Sequence, residues 1–298
     1  MLKNQEEFES NIRDVFGSSG EQWLRDLPKL LAELKHDWNF ILQETVPRLT
    51  YSFVTKVKTS TGKDGILKLS PVGPRCHSEI AWFESNSVGT PQLWKSDLNR
   101  GAMLMEQIIP GYSAKKWVQE RNDVGATRAI ADVIRTLKPG QNHSQIFKPV
   151  THLASSLECL RGKIDPKLLS KAETLFKELT ADSSKDRLLH GDLHHDNILF
   201  AGDKWVAIDP HGYIGPAAFE AGAMIRNPYD CFPKEESLKK ILETRLKVLK
   251  DELPFEPYEI HGWAFAYTIM ATGWSVADHG EIPKIHIEIA ETLNEIVM

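Results

Sequence analysis

Apolar positions make the first division of the chain. Phe8, Ile12, Val15 and Phe16, then Trp23, Leu27, Leu30, Leu31 and Leu34, recur at three-and-four spacing, so residues 1–45 are expected to be helical, with one side buried. From Thr50 the period changes to alternation. TYSFVTKVKTS and ILKLS, separated by the turn Gly62-Lys63-Asp64-Gly65, predict two strands of a hairpin, because β-branched and aromatic residues fit a pleated surface. A short helix is expected over HSEIAWFES, a break at Gly89-Thr90-Pro91, and two more strands over PQLWKSD and GAMLMEQI about a turn at Asn99 to Gly101.

Beyond Pro110-Gly111 the spacing is mostly helical. KKWVQERNDVGATRAIADVIRTL, HLASSLECLRGKI, PKLLSKAETLFKELTADS, ESLKKILETRLKVLKDEL, YEIHGWAFAYTIMATGWSVADH and IPKIHIEIAETLNEIV all carry apolar residues at helical intervals. Two short apolar stretches, LLHGDLHHDNILF and KWVAIDPHG, interrupt them and read as strands ending in polar loops. The aromatic run Trp263, Phe265, Tyr267, Met270 and Trp274 reads as helix core. The change of pattern near residues 107–112 predicts an α+β, two-lobed chain: 1–107 an antiparallel-sheet lobe with an N-terminal helical extension, 108–298 a mainly helical lobe.

Composition narrows the partners. A net charge of -5 over 298 residues, with 26% charged residues, is too mild for a protein that grips a polyanion, so no nucleic-acid partner is expected. No uncharged apolar run approaches the roughly 20 residues of a membrane-spanning helix. The opening MLKNQEEFESNIRDVFG is polar and acidic where a signal peptide is basic and then apolar. Cys76, Cys159 and Cys231 are odd in number and far apart, which supports neither a disulfide framework nor a zinc knuckle. These features predict a cytoplasmic protein, of oligomeric state the sequence does not set.

The densest chemistry lies in His190-Gly191-Asp192-Leu193-His194-His195-Asp196-Asn197, a polar loop between apolar flanks. A loop held between two buried strands can present Asp192 and, five residues on, Asn197 to one ligand from a rigid frame. Phosphoryl transfer to an alcohol needs such a pair: a carboxylate to orient the hydroxyl and accept its proton, and an oxygen ligand for Mg²⁺ on the phosphates. Trp205-Val206-Ala207-Ile208 then reads as a strand ending on Asp209, a carboxylate suited to the same hard cation.

In this order of residues the chain resembles the protein-kinase-like fold, whose catalytic loop H-x-D-x-x-x-x-N precedes a metal-binding aspartate. It is most similar to the aminoglycoside phosphotransferase branch, and within it to the streptomycin 6-phosphotransferases of the aminoglycoside/hydroxyurea resistance kinase family. The blocks that carry the likeness are LLHGDLHHDNIL, then Ile208-Asp209-Pro210 with Gly212, Gly215, Phe219 and Glu220, then Arg226-Asn227-Pro228. The resemblance implies ATP and Mg²⁺ as cofactors, Asp192 as the general base or hydroxyl-orienting residue, and Asn197 and Asp209 as metal ligands. It further implies a strand lysine on the α/β phosphates paired to a helix glutamate, for which Lys68 and Glu79 stand in the right places. Ser52 is the side-chain donor in the turn expected to cover the phosphates, and Glu106 and Ile108 fall at the hinge, where backbone groups would bind adenine. Glu220, Asp278 and Glu281 are the acids expected to line a pocket for a cationic, polyhydroxylated acceptor. Asp278 and Glu281 are expected after the helix. Departures are the missing Gly-x-Gly-x-x-Gly loop, Asp-Pro in place of Asp-Phe-Gly, and no Ala-Pro-Glu, which disfavour a protein substrate.

Other readings stay open on the sequence. The same residues serve a kinase of a housekeeping metabolite, such as a sugar or amino alcohol, and a nucleotide-binding pseudokinase would keep the cleft. His190, His194, His195 and His211 permit a metal cluster, although adjacent histidines point apart and His190 reads as a brace for the loop.

Overall fold

The computed structural model describes residues 5–46, 49–86, 88–137, 146–232 and 236–296. Its contacts divide into two compact units, Met1–Ser87 with Pro91–Ile108, and Val88–Thr90 with Ile109–Met298.

The first unit opens with α1 (Gln5–Trp38), broken at Gly17, whose φ of 57° and ψ of -135° are not helical. The expected helix to residue 45 ends early. Asn39 adopts a φ of 53°, a left-handed conformation its short polar side chain tolerates, and the chain reverses into β1 (Phe40–Thr45). Then follow β2 (Phe53–Thr59), β3 (Asp64–Leu69), α2 (Pro74–Ser85), β4 (Leu93–Asp97) and β5 (Ala102–Glu106). The strands form one antiparallel sheet in the order β1-β2-β3-β5-β4. Alternation assigns the two sides of β3. Leu67 and Leu69 are buried in a core with Val57 and Leu104 that takes in Phe8, Ile12 and Leu34 of α1, while Lys68 stands between them in the period-2 pattern.

In the second unit, α3 (Lys115–Gln119) and α4 (Asp123–Thr136) divide what the sequence suggested as one helix. Asn122 causes the division: its Oδ1 accepts from the Gly125 amide at 3.0 Å, capping a new helix start. After β6 (Lys148–Pro149) come α5 (Ser155–Glu158), a single turn where a longer helix was expected, and α6 (Pro166–Leu179). Then β7 (Arg187–Leu189), β8 (Ile198–Phe200), β9 (Trp205–Ala207), β10 (Tyr213–Gly215), α7 (Gly222–Arg226), α8 (Leu238–Glu252), α9 (Pro257–His279) and α10 (Lys284–Glu295) complete the order. β8 pairs with β9, and β10 lies between β6 and β7. Strands β6 and β10, too short to leave a periodic signal, were not foreseen. The buried centre is α9, where Trp263, Phe265, Ile269 and Met270 are sealed from solvent. Full burial of such side chains contributes roughly 1.5–3 kcal/mol each relative to exposure. Asp278, expected beyond this helix, is its penultimate residue.

Candidate active site

The loop between β7 and β8 is shaped by its backbone before its side chains act. Gly191 has a φ of 86°, and a Cβ there would lie 2.6 Å from Cδ2 of Tyr213, so only glycine fits between His190 and Asp192. The amides of His190 and Gly191 donate to Oε1 and Oε2 of Glu220 at 2.5 and 3.1 Å. This corrects the expectation for Glu220. The side chain is 4% exposed, and both its oxygens serve the loop instead of an acceptor pocket. Burial pushes its carboxyl up to about 7, against the opposing pull of the two amides and Arg187.

His190 joins the loop to the next strand. Its Nδ1 accepts from the Asp192 amide at 3.3 Å, so the proton sits on Nε2, which donates to the Ile208 carbonyl at 2.8 Å. Burial lowers its pKa to about 4 and keeps the ring neutral. The Ile208 amide in turn donates to the Asn197 carbonyl at 2.9 Å, and the amides of His211 and Gly212 donate to the His190 carbonyl at 2.8 and 3.1 Å. Asp192, Asn197 and Asp209 therefore hang on one hydrogen-bonded frame. Asp209 itself has a φ of 59°, in the left-handed region that few residues other than glycine, asparagine and aspartate enter.

Around the Asp192 carboxylate the donors are specific. Asn197 Nδ2 lies 3.0 Å from the Asp192 carbonyl and 3.3 Å from Oδ2, while Tyr267 donates to Oδ1 at 3.1 Å. His194 Nε2 stands 3.4 Å from Oδ2 and His211 Nε2 3.8 Å. Burial alone would raise the carboxyl, but the charge and hydrogen bond of His194, with His211 and Arg226, outweigh it and hold Asp192 well below the usual carboxylate range. Reciprocally, burial works to lower His194, and the adjacent Asp192 raises it.

The residues fit a hard divalent cation. With Nδ2 of Asn197 committed to Asp192, its Oδ1 is the atom available as a ligand, and Asp209 adds a carboxylate on the same frame. The histidines do not form an alternative metal centre. Among the described residues no group of three His, Cys, Asp or Glu is placed to hold a metal. His195 is wholly buried, and desolvation keeps it neutral.

In the first unit, Lys68 Nζ donates to Glu79 Oε1 at 2.5 Å, both residues being buried. The Ser52 hydroxyl is 2.8 Å from that of Ser70. The Glu106 amide and carboxylate are taken by the carbonyl and amide of Gln92, at 2.9 and 3.1 Å, and Ile108 is half-buried. Asp278 and Glu281 are exposed. Two further side chains act on Asp192 without a local sign of it in the sequence: Tyr267, which fits the apolar period of its helix, and Arg226, which stands in an Arg-Asn-Pro string.

A small antiparallel sheet with a paired lysine and glutamate, and a helical unit carrying an Asp-Asn-Asp frame, define a kinase-like phosphotransferase of small molecules. The solved structures share this fold: a choline/ethanolamine kinase family protein from Mesorhizobium loti superposes with a TM-score of 0.62 at 13% identity, over 90% of this chain and 94% of that one. The chain belongs to the aminoglycoside/hydroxyurea antibiotic resistance kinase family, whose model matches residues 37–280. Relatives include a streptomycin 3''-kinase of Klebsiella pneumoniae, 30% identical over 60% of this chain and 68% of the relative. A streptomycin 6-kinase of Streptomyces glaucescens is 22% identical over 89% of this chain and 88% of its own. Membership in a kinase family carries use of a nucleotide as phosphoryl donor. Among the described residues no helix is long and apolar enough to cross a membrane.

Proposed function

We propose that this kinase transfers the γ-phosphoryl group of ATP to a hydroxyl of an aminoglycoside of the streptomycin type, in the cytoplasm, with Mg²⁺ as the metal. The observation that carries this reading is the single frame holding Asp192, Asn197 and Asp209, with the Asp192 carboxylate bonded from both sides. Asp192 orients the acceptor hydroxyl and takes its proton as the oxygen attacks phosphorus. Asn197 and Asp209 hold the metal, which supplies charge neutralisation on the phosphates. Lys68, fixed by Glu79, holds the α/β phosphates. Ser52 serves the phosphates, and Glu106 and Ile108 the adenine. Most of the rate enhancement in this scheme is positioning and electrostatics.

For the acceptor, Asp278 and Glu281 are the acids left to meet a cationic substrate, since Glu220 is spent on the loop. That loss, with His194, His211 and Arg226 around Asp192, favours a second reading in which the acceptor is a neutral metabolite alcohol. Mg²⁺-dependent ADP release against a panel of streptomycin, other aminoglycosides, hydroxyurea and metabolite alcohols decides between them. Stimulation by streptomycin with a mass gain of one phosphate supports the first reading; stimulation by a metabolite alone replaces it.

A further inference from the structure

Tyr267 lies on the buried centre of α9, yet its hydroxyl belongs to the site. Its ring is held by Phe219 in a tilted contact at 5.3 Å and by Trp274 edge-on at 5.5 Å. So placed, the hydroxyl reaches the Gly191 carbonyl at 3.2 Å and Asp192 Oδ1 at 3.1 Å. A phenol has one hydrogen, which these two acceptors share. The other carboxylate oxygen, Oδ2, faces Asn197 Nδ2 at 3.3 Å and His194 Nε2 at 3.4 Å. Tyr267 thus donates to Oδ1, while Asn197 and His194 stand at Oδ2.

A carboxylate turns easily about its Cβ–Cγ bond unless both oxygens are held. With donors only at Oδ2, Asp192 keeps its position and loses its orientation. We infer that Tyr267 is a positioning residue, whose hydroxyl locks the plane of the Asp192 carboxylate so that the bound acceptor hydroxyl, and not water, is aligned on phosphorus. The inference rests on the role of Asp192 proposed above. In the step it serves, a bond forms between the acceptor oxygen and the γ-phosphorus, the bond from that phosphorus to the ADP oxygen breaks, and the acceptor proton passes to Asp192. An acceptor hydroxyl must meet the carboxylate at a set angle, whereas water is small and reorients. Loss of the lock therefore slows transfer more than it slows hydrolysis.

Tyr267→Phe keeps the ring and removes the hydroxyl. With Mg-ATP and the active acceptor, kcat for acceptor phosphorylation falls about tenfold, KM for ATP is unchanged, and ADP formed per acceptor phosphorylated rises several-fold. In an Asp192→Asn background the same change has no further effect, because the residue acts through Asp192. Trp263→Phe loosens the packing of the same helix, lowers the Tm and leaves the ratio of ADP to phosphorylated acceptor at the wild-type value. The inference is overturned by wild-type kcat and ratio in Tyr267→Phe, by an equal fall in both backgrounds, or by the same uncoupling in Trp263→Phe. If no acceptor in the panel is phosphorylated by the wild-type protein, the acceptor assignment fails by itself. Basal Mg-ATP hydrolysis then reads the lock: a rate in Tyr267→Phe within about twofold of the wild type supports it, because water reorients without the lock, and a fall of about tenfold or more rejects it.

Discussion

The Lys68–Glu79 pair of the first unit and the Asp192 frame of the second solve the same problem, holding a charged group still, in opposite ways. Lys68 stands on a strand and Glu79 on a helix, and a short ion pair joins their buried side chains. Asp192 stands on a loop, which regular structure does not stiffen, and its surroundings replace that stiffness bond by bond. A group on a strand borrows rigidity from the sheet that carries it. A group on a loop must have its rigidity assembled from distant elements, here Glu220 and Tyr267.

The sharpest way to break the comparison is Asp192→Ala, which on this reading lowers kcat at least a thousandfold while the affinity for ATP stays within about threefold, as steady-state kinetics and nucleotide titration will show. Lys68→Met is expected to act on the other side of the contrast, lowering kcat/KM for ATP by about a hundredfold and leaving the Kd of the acceptor alone. A smaller effect, visible in stability, tests the frame. Glu220 has its folded pKa raised to about 7, above the unfolded carboxylate value of 4.5, so the folded state binds the extra proton. Its contribution is then full below the unfolded value and is lost as the pH rises through about 7, a change of about 3 kcal/mol at most. Glu220→Gln removes that dependence: its Tm deficit against the wild type is largest near pH 5 and shrinks towards pH 8 by scanning calorimetry. A deficit that grows with pH would show that Glu220 works as an ionised brace.

What could be read from the sequence divides along the same line. Asp192, Asn197 and Asp209 stand out as candidates through the spacing of one loop and the strand end that follows it, whereas Lys68 and Glu79 are candidates through the family resemblance, Lys68 fitting the strand alternation beside it. The five-stranded sheet was legible for four strands; β1 was not, because Phe40, Ile41 and Leu42 continue the apolar run of the helix, and the chain reverses at Asn39, whose φ is 53°. Tyr267 and Glu220 lie 75 and 30 residues from their partners in the loop, and no local pattern carries that pairing. Within α9 a tyrosine satisfies the apolar period as well as a phenylalanine does. Its hydroxyl acquires meaning only from what the fold brings to it.

Arg245 carries a consequence for the order in which the second unit assembles. Its guanidinium is completely buried, forks onto Asp123 and gathers the carbonyls of Met224, Ile225 and Asn227, so it ties together segments up to 122 residues apart. Until all of them have arrived the charge is better left in water, because an incomplete set of partners does not offset its desolvation. The cluster is expected to close late in folding, and Arg245→Met tests this by stopped-flow kinetics: its loss of stability is expected in the unfolding rate. A cluster that closes so late would hold the native state from the inside, and weakening it would hasten unfolding while leaving the rate of folding nearly as it was.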